Sequence, residues 1–393
     1  MTLPGINQLL AKPEQYLKGK TVGLVVNHTS LANDNQHSIA HFKSHPSFIL
    51  NALFAPEHGL YGIAQDMIEI ENEIDPISQL NVSSLYGITE ETLEPNPDAL
   101  VEVDNLIFDI QDVGARYYTF IYTMAKCMDI CKKSDTRMIV CDRPNPINGI
   151  SLEGNLVKED FRSFVGQYPL PNRHGMTVGE LALFFNHEID IGCELKVVPM
   201  SDWNREQWYD ETRLPWVPPS PNMPTLDTAV VYPGMCLIEG TQLSEGRGTT
   251  RPFENFGAPY IDPHKLLQRI KKDIGKLPGV IFRPQFFQPM FQKHRGEVCG
   301  GLQIHITDRS QFKPFLTTLA LLRAIAELYP NDLKWRTEPY EFVSDRLAID
   351  LLYGNTHLRE TIFNDTFSLD EIENGWQEEL NSFKELRNNY LIY

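Results

Sequence analysis

The sequence predicts an α/β fold, a Rossmann-like, mostly parallel sheet domain followed by a smaller α+β domain. Three observations predict it. In the first half, short apolar runs alternate with segments of helical spacing, the pattern of βαβ units whose strands are buried between helices. Near Leu214 that alternation gives way to a tract dense in Pro, Gly, Asn, Thr and Ser. Past the tract, strands and helices follow one another without regular alternation. We therefore expect residues 1–214 to form the Rossmann-like domain and residues 215–393 an α+β domain that completes a cleft.

The elements can be taken in order. Thr21-Val-Gly-Leu-Val-Val-Asn27 reads as the first buried strand, and a helix follows through His37 to Phe42. Phe48-Ile-Leu-Asn-Ala-Leu-Phe54 is the second strand, closed by Pro56 and Gly59. Val103–Ile110 is the third. Tyr118–Lys133 sets Phe120, Met124, Cys127, Met128 and Cys131 on one side of a helix. Arg137–Cys141 is the fourth strand. Thr177 and Glu180 stand at capping-box spacing and open a helix to His187, which leads to a strand over Glu194–Pro199. A turn-rich tract as long as Pro215–Gly257 is functional or a linker in a compact chain. Its interleaved aromatics and charges favour an ordered active-site wall. Beyond it the pattern predicts a helix over His264–Ile274 and strands near Val280–Phe287 and Cys299–Ile306. A long helix over Phe312–Leu328 comes next, then shorter helices near Ser344–Leu352 and Ser368–Arg387.

Composition narrows the function. The chain has 393 residues, 42% hydrophobic and 22% charged, with a formal net charge of −17. An acidic surface argues against nucleic acid or an anionic membrane as partner. No apolar run approaches the roughly 18 residues that span a bilayer, and Met1-Thr-Leu-Pro-Gly-Ile lacks a basic n-region and an apolar h-region, so a cytoplasmic location is expected. The six cysteines do not make a disulfide framework. Cys127 and Cys131 would supply half a metal site, but no second pair completes it; core thiols and no metal are the expectation. The first strand runs into Asn27-His-Thr-Ser30 instead of a G-x-G-x-x-G turn, and no Walker A is present. An NAD-, ATP- or nucleotide-sugar-dependent enzyme is set aside on that ground, and no cofactor is expected.

Ligands in open α/β sheets bind beyond the carboxyl ends of the strands. The second predicted strand delivers Glu57 and His58 there, within Phe54-Ala-Pro-Glu-His-Gly59. The third ends in Asp109 and Asp112, followed by Arg116 and Tyr117; the fourth ends in Asp142-Arg-Pro-Asn-Pro146, with Arg143 and Asn145. Carboxylates, guanidinium, amide and aromatic groups at three strand ends suit a polyol, whose hydroxyls need bidentate partners and whose ring needs flat faces. Any one such Asp also suits a helix N-cap. Arg173 and His174 precede the capped helix, Asn222 lies in the turn-rich tract, and Glu239-Gly-Thr-Gln-Leu-Ser-Glu-Gly-Arg-Gly248 brings Glu239, Glu245 and Arg247. Gly246 and Gly248 let backbone approach a ligand, and the planar fork of Arg247 suits an anionic group, with Glu239 or Glu245 as its internal alternative. Tyr86, Trp203, Trp208 and Trp216 are candidates for stacking or for plain packing. No G-x-S-x-G elbow exists, so hydrolysis through carboxyl groups is the natural chemistry. Glu57 is the acid/base candidate; Asp109, Asp112 and Glu245 compete for the second role.

These segments together resemble the exo-β-N-acetylmuramidase (NamZ-type) family. The stretches that carry the resemblance are FAPEHG at 54–59, SLYG at 84–87, FDIQDVGARYYT at 108–119, DRPNP at 142–146, RHGMTVGELA at 173–182, WVPPSPNMPT at 216–225, YPGMCLIEGTQLSEGRGTTRPFENFGAP at 232–259 and the final YLIY. The resemblance implies a Rossmann-like first domain, a smaller second domain and a cleft between them. It implies removal of terminal β-1,4-linked N-acetylmuramic acid from the non-reducing end of peptidoglycan fragments, with the family's catalytic glutamate falling on Glu57; for the chain itself a monomer or homodimer is expected. Two departures stand out. Ile74-Asp-Pro-Ile-Ser-Gln-Leu-Asn-Val82 replaces the family's acidic, glycine-containing lead into SLYG, and Asp129 stands where a Glu is common. A non-catalytic cell-wall muro-saccharide binding protein is the alternative reading.

Overall fold

The computed structural model describes residues 1–65, 68, 73–87 and 89–393. Seven strands form the main sheet: β1 (Thr21–Val26), β2 (Ile49–Ala55), β3 (Glu73–Ile74), β4 (Asn81–Ser84), β5 (Asn105–Asp109), β6 (Arg137–Cys141) and β7 (Leu195–Val198), in the spatial order β3-β4-β2-β1-β5-β6-β7. All neighbours pair in parallel except the edge pair β3–β4. Beyond it, β8 (Asn255–Ala258), β9 (Val280–Phe287) and β10 (Cys299–Ile306) make a three-stranded antiparallel sheet in the order β8-β10-β9. The α/β class is as the sequence predicts.

The alternation of side chains along each strand shows why helices lie on both faces of the large sheet. Val22, Leu24, Val26, Ile107, Ile139 and Cys141 point to one face and meet Ile6 and Leu9 of the Gly5–Ala11 helix and Ile39 and Phe42 of the Ser38–Ser44 helix. Val25, Phe54, Leu106, Phe108, Met138 and Val140 point to the other, against the Phe120–Ser134 and Val178–Glu188 helices. Strands buried on both sides read as continuous apolar runs for this reason. The second cluster continues without a break into the Pro314–Leu328 helix and the antiparallel sheet, so one core joins the two halves.

Helix ends follow their capping chemistry. Thr177 and Glu180 form the predicted capping box, and Asp142 at the end of β6 accepts from Gly179 N and Thr177 Oγ1 at the same N-terminus. Pro314 opens a helix whose own Lys313 gives no side-chain cap; Glu153, distant in sequence, accepts from Leu316 N at 2.9 Å instead. The turn-rich tract departs from expectation: Leu226–Met235 is a buried helix, capped by Thr225, with Pro233 in its last turn. Proline there forfeits one hydrogen bond close to where the helix ends. The predicted Ser368–Arg387 helix is two, Leu369–Gly375 and Gln377–Arg387, and the Gly5–Ala11 helix was not predicted. All six cysteines are buried free thiols. Among the described residues no helix is long and apolar enough to cross a membrane.

Candidate active site

The carboxyl end of β2 enters the site through a strained turn. After Ala55 the chain turns at Pro56, with Gly59 N donating to Pro56 O, and both His58 (φ 72°) and Gly59 (φ 79°) are left-handed. A histidine held there is uncommon and is fixed by its own ring, whose Nδ1 lies 3.0 Å from Ala64 O. The result aims Glu57 inward beneath the loop. His28, from the loop after β1, braces this turn: its ring sits against Gly62 and its Nε2 lies 2.6 Å from Pro218 O.

Glu57 and His58 line a narrow recess with Tyr117, Tyr118, Thr119 and Phe120 from the segment after β5. The opposite wall comes from the second half: Ser220, Asn222, Tyr232, Glu239, Arg247, Phe253, Tyr340 and Glu341. Three carboxylates, Glu57, Glu239 and Glu341, are each only 6% exposed. Glu57 accepts from Thr119 Oγ1 at 3.0 Å. Glu239 is held by Arg247 Nη2 at 2.8 Å and Tyr340 OH at 2.8 Å. Glu341 accepts from Tyr86 OH at 3.1 Å. Arg247 lies over the Phe253 ring, 5.3 Å from its centroid, and also faces Glu245 Oε1 at 3.4 Å. Burial raises the Tyr118 phenol well above its ordinary value, with Glu57 adding to the effect and Arg247 opposing it, so Tyr118 stands in the recess as a neutral hydroxyl.

The structure thus gathers Glu57, His58, Tyr117, Asn222, Glu239 and Arg247 of the sequence candidates around one recess. The others are engaged elsewhere. Asp109 is bound by Arg143 Nε at 2.7 Å, both groups buried, and Arg143 also donates to Leu31 O. Asp112 accepts from Gly114 N and faces His174 Nε2 at 3.6 Å. Asn145 holds its turn through Ile147 N and Met176 O. Arg173 donates to Ile147 O and lies against Trp208. Glu245 is bound by Lys293 Nζ at 2.9 Å. Arg116, wholly buried, donates to Asn155 O, Leu170 O, Leu352 O and Tyr353 O. Asp129, on the Phe120–Ser134 helix, lies outside the recess lining. Sequence reasoning missed Tyr340 and Glu341, for Glu-Pro-Tyr-Glu-Phe-Val carries no motif. Ser220 and Tyr232 lie within two of the motif stretches, where nothing in the sequence distinguishes them from their neighbours.

In chemical terms the recess offers buried carboxyl groups to move a proton or meet positive charge, an arginine for an anionic substituent, and aromatic faces for a ring. The comparisons with known proteins point the same way. The family model described as exo-beta-N-acetylmuramidase NamZ, N-terminal, matches residues 22–227, and its C-terminal counterpart matches residues 230–393. The chain is 44% identical over 389 residues to the peptidoglycan beta-N-acetylmuramidase NamZ of Bacillus subtilis (strain 168), covering 99% of this chain and 91% of that protein. Two solved structures of DUF1343 family proteins from Bacteroides fragilis NCTC 9343 share the fold. One superposes with a TM-score of 0.87 at 33% identity, the other with 0.78 at 30%, each covering 100% of this chain and 99% of that one.

Proposed function

The chain belongs to the exo-β-N-acetylmuramidase NamZ family, and from that premise we propose that it is an exo-acting glycoside hydrolase. It releases terminal β-1,4-linked N-acetylmuramic acid from the non-reducing end of peptidoglycan fragments. The observation that carries the reading at residue level is Glu57, presented at the carboxyl end of β2 into a recess that also holds Arg247 and a ring of aromatics. Glu57 in its protonated form gives its proton to the glycosidic oxygen as the bond to the anomeric carbon breaks. Arg247, with its planar fork, suits the lactyl carboxylate that distinguishes muramic acid from glucosamine; an entering carboxylate would displace Glu239 or Glu245 from it. The reaction needs no metal or cofactor, because carboxyl groups supply both the proton and the compensating charge.

The test is hydrolysis of para-nitrophenyl N-acetylmuramide and of the matching N-acetylglucosaminide by wild type and Glu57→Gln. Wild type should cleave the muramide alone, and Glu57→Gln should lose about 10²- to 10⁴-fold, the usual worth of a positioned acid, with an unchanged circular dichroism spectrum. Absence of wild-type turnover across pH 5–8 would sink the hydrolase reading. Activity that survives the substitution would move the acid role away from Glu57.

A further inference from the structure

Four tyrosines line the recess: Tyr117, Tyr118, Tyr232 and Tyr340. Three have their hydroxyls engaged by the protein. Tyr117 OH donates to Pro233 O and accepts from Asn172 Nδ2, both at 2.7 Å. Tyr340 OH donates to Glu239, and Tyr232 OH accepts from Cys236 Sγ at 3.4 Å. The Tyr118 hydroxyl differs: it is buried and has no hydrogen-bond partner among the described residues. The Ser220 hydroxyl acts on its acidity but stands beyond bonding distance. Tyr118 as a whole is only 7% exposed. Buried polar groups in folded proteins are almost always paired, so this one calls for a partner that the chain does not supply.

Packing fixes where that hydroxyl stands. Tyr118 meets Phe120 edge to face with ring centroids 4.9 Å apart, and Phe120 meets His58, beside Glu57, at 6.4 Å. On the other side Tyr118 meets Tyr232 at 5.8 Å, and Tyr232 meets Phe253 at 4.9 Å, under Arg247. Tyr118 is therefore the middle of a run of rings that leads from Glu57 to Arg247, and both of those groups act on its phenol. The substrate has the same order. The carbon next to the anomeric carbon bears the acetamido group, and the one after it bears the lactyl ether. With Glu57 at the glycosidic oxygen and Arg247 at the lactyl carboxylate, the acetamido group falls between them, where Tyr118 stands. Burial keeps the phenol neutral, so it has a proton to donate, and the acetamido carbonyl oxygen is the best neutral acceptor on the sugar. Phe120, Val165 and Met223, in the same lining, offer the acetyl methyl an apolar surface.

We propose that the Tyr118 hydroxyl donates to the carbonyl oxygen of the substrate's acetamido group and so selects for an N-acetylated sugar; the inference rests on the hydrolase reading above. The cost of keeping a hydroxyl unpaired in the empty recess is then recovered when the acetylated ring enters.

The experiment uses Tyr118→Phe, which removes the hydroxyl and keeps the ring contacts. Kinetics are measured on para-nitrophenyl N-acetylmuramide and on its N-trifluoroacetyl counterpart, whose carbonyl oxygen is a poorer acceptor. The third substrate is the unactivated disaccharide N-acetylmuramyl-β-1,4-N-acetylglucosamine. On both N-acetyl substrates the variant should lose about 10- to 100-fold in kcat/KM, the cost of closing the site over an acceptor without its donor. The wild-type preference for acetyl over trifluoroacetyl should shrink at least about fivefold in the variant, a ratio that cancels what fluorine does to the intrinsic chemistry. The melting temperature should hold or rise, because no protein group loses a partner. An unchanged kcat/KM or an unchanged acyl preference would overturn the proposal. So would a loss confined to the disaccharide, which would put the hydroxyl on the departing oxygen, or a melting temperature lowered by several degrees, which would make its role structural. A wild type inactive on every substrate fails the hydrolase reading itself, whereas an active wild type matched by Tyr118→Phe fails only this assignment.

Discussion

Replacing Arg116 by Met tests whether its guanidinium holds the molecule together or holds substrate. Its four carbonyl acceptors come from two regions, Asn155 and Leu170 in the first half and Leu352 and Tyr353 in the second, at 2.7 to 3.2 Å. Each charge-assisted bond contributes roughly 1.5 kcal/mol net at the low end of its range. Against that sum stands the cost of keeping a guanidinium out of water, several kcal/mol; this burial depresses its affinity for its proton. Methionine fills some of the volume but leaves four buried carbonyls without their donor, so we expect a net loss of about 4 kcal/mol. For a chain of this length the unfolding entropy is on the order of 0.8 kcal/mol/K, which converts the loss to about 5 °C in melting temperature. The assay is paired: differential scanning calorimetry, and kcat and KM on the muramide at 20 °C where both proteins are folded. A fall of several degrees with kcat and KM near wild type bears out the reasoning. An unchanged melting temperature with a large rise in KM would refute it and return Arg116 to the binding role that its strand-end position suggests.

Glu153 governs a pH dependence of stability. Burial pushes its carboxyl up to about 7 from an ordinary 4.5, so between those values the unfolded chain ionises and the folded one does not; the stability present below about pH 4.5 is lost as pH rises to about 7, by up to ~3 kcal/mol. Thermal melts of wild type and Glu153→Gln, which keeps an acceptor for Leu316 N, should diverge by about 4 °C across that window; parallel curves would refute the assignment. Gly234→Ala should push its helix away from the Pro314–Leu328 helix, since a Cβ there would stand 1.9 Å from Pro314 O and 2.6 Å from Thr318 Oγ1. We expect a loss of about 2–3 kcal/mol from overpacking, and a melting temperature within 1 °C of wild type would show that the helices give way freely.

The central strands were legible because burial on both faces leaves an unbroken apolar run in β1, β5 and β6, and the Thr177–Glu180 cap because its donors and acceptors lie three residues apart. The edge strand β3 and its neighbour β4, two and four residues long, carry too little pattern to register. The Leu226–Met235 helix was hidden by the Pro233-Gly234 pair in its last turn, which reads as a break. At the site, Glu57 was readable from its place beyond an apolar strand. The roles of the other strand-end groups depend on partners distant in sequence: Asp109 meets Arg143 across 34 positions, and Arg116 meets carbonyls more than 200 residues away. Such pairings leave no local trace. Glu341 was invisible for the opposite reason, because its turn, left-handed at both Glu341 and Phe342, contradicts the residue preferences by which turns are read.

The recess has a free volume of only about 40 Å³, far below the several hundred that sites for small molecules provide. A pyranose ring therefore enters only by displacing its walls, and those walls come from different halves of the chain. The free energy of that displacement is subtracted from every measured affinity, since a ligand that needs a sparsely populated state binds more weakly by that state's fraction. Substitutions far from Glu57 that loosen the packing between the halves should then tighten substrate binding while lowering the melting temperature, a trade in which affinity and robustness move in opposite directions.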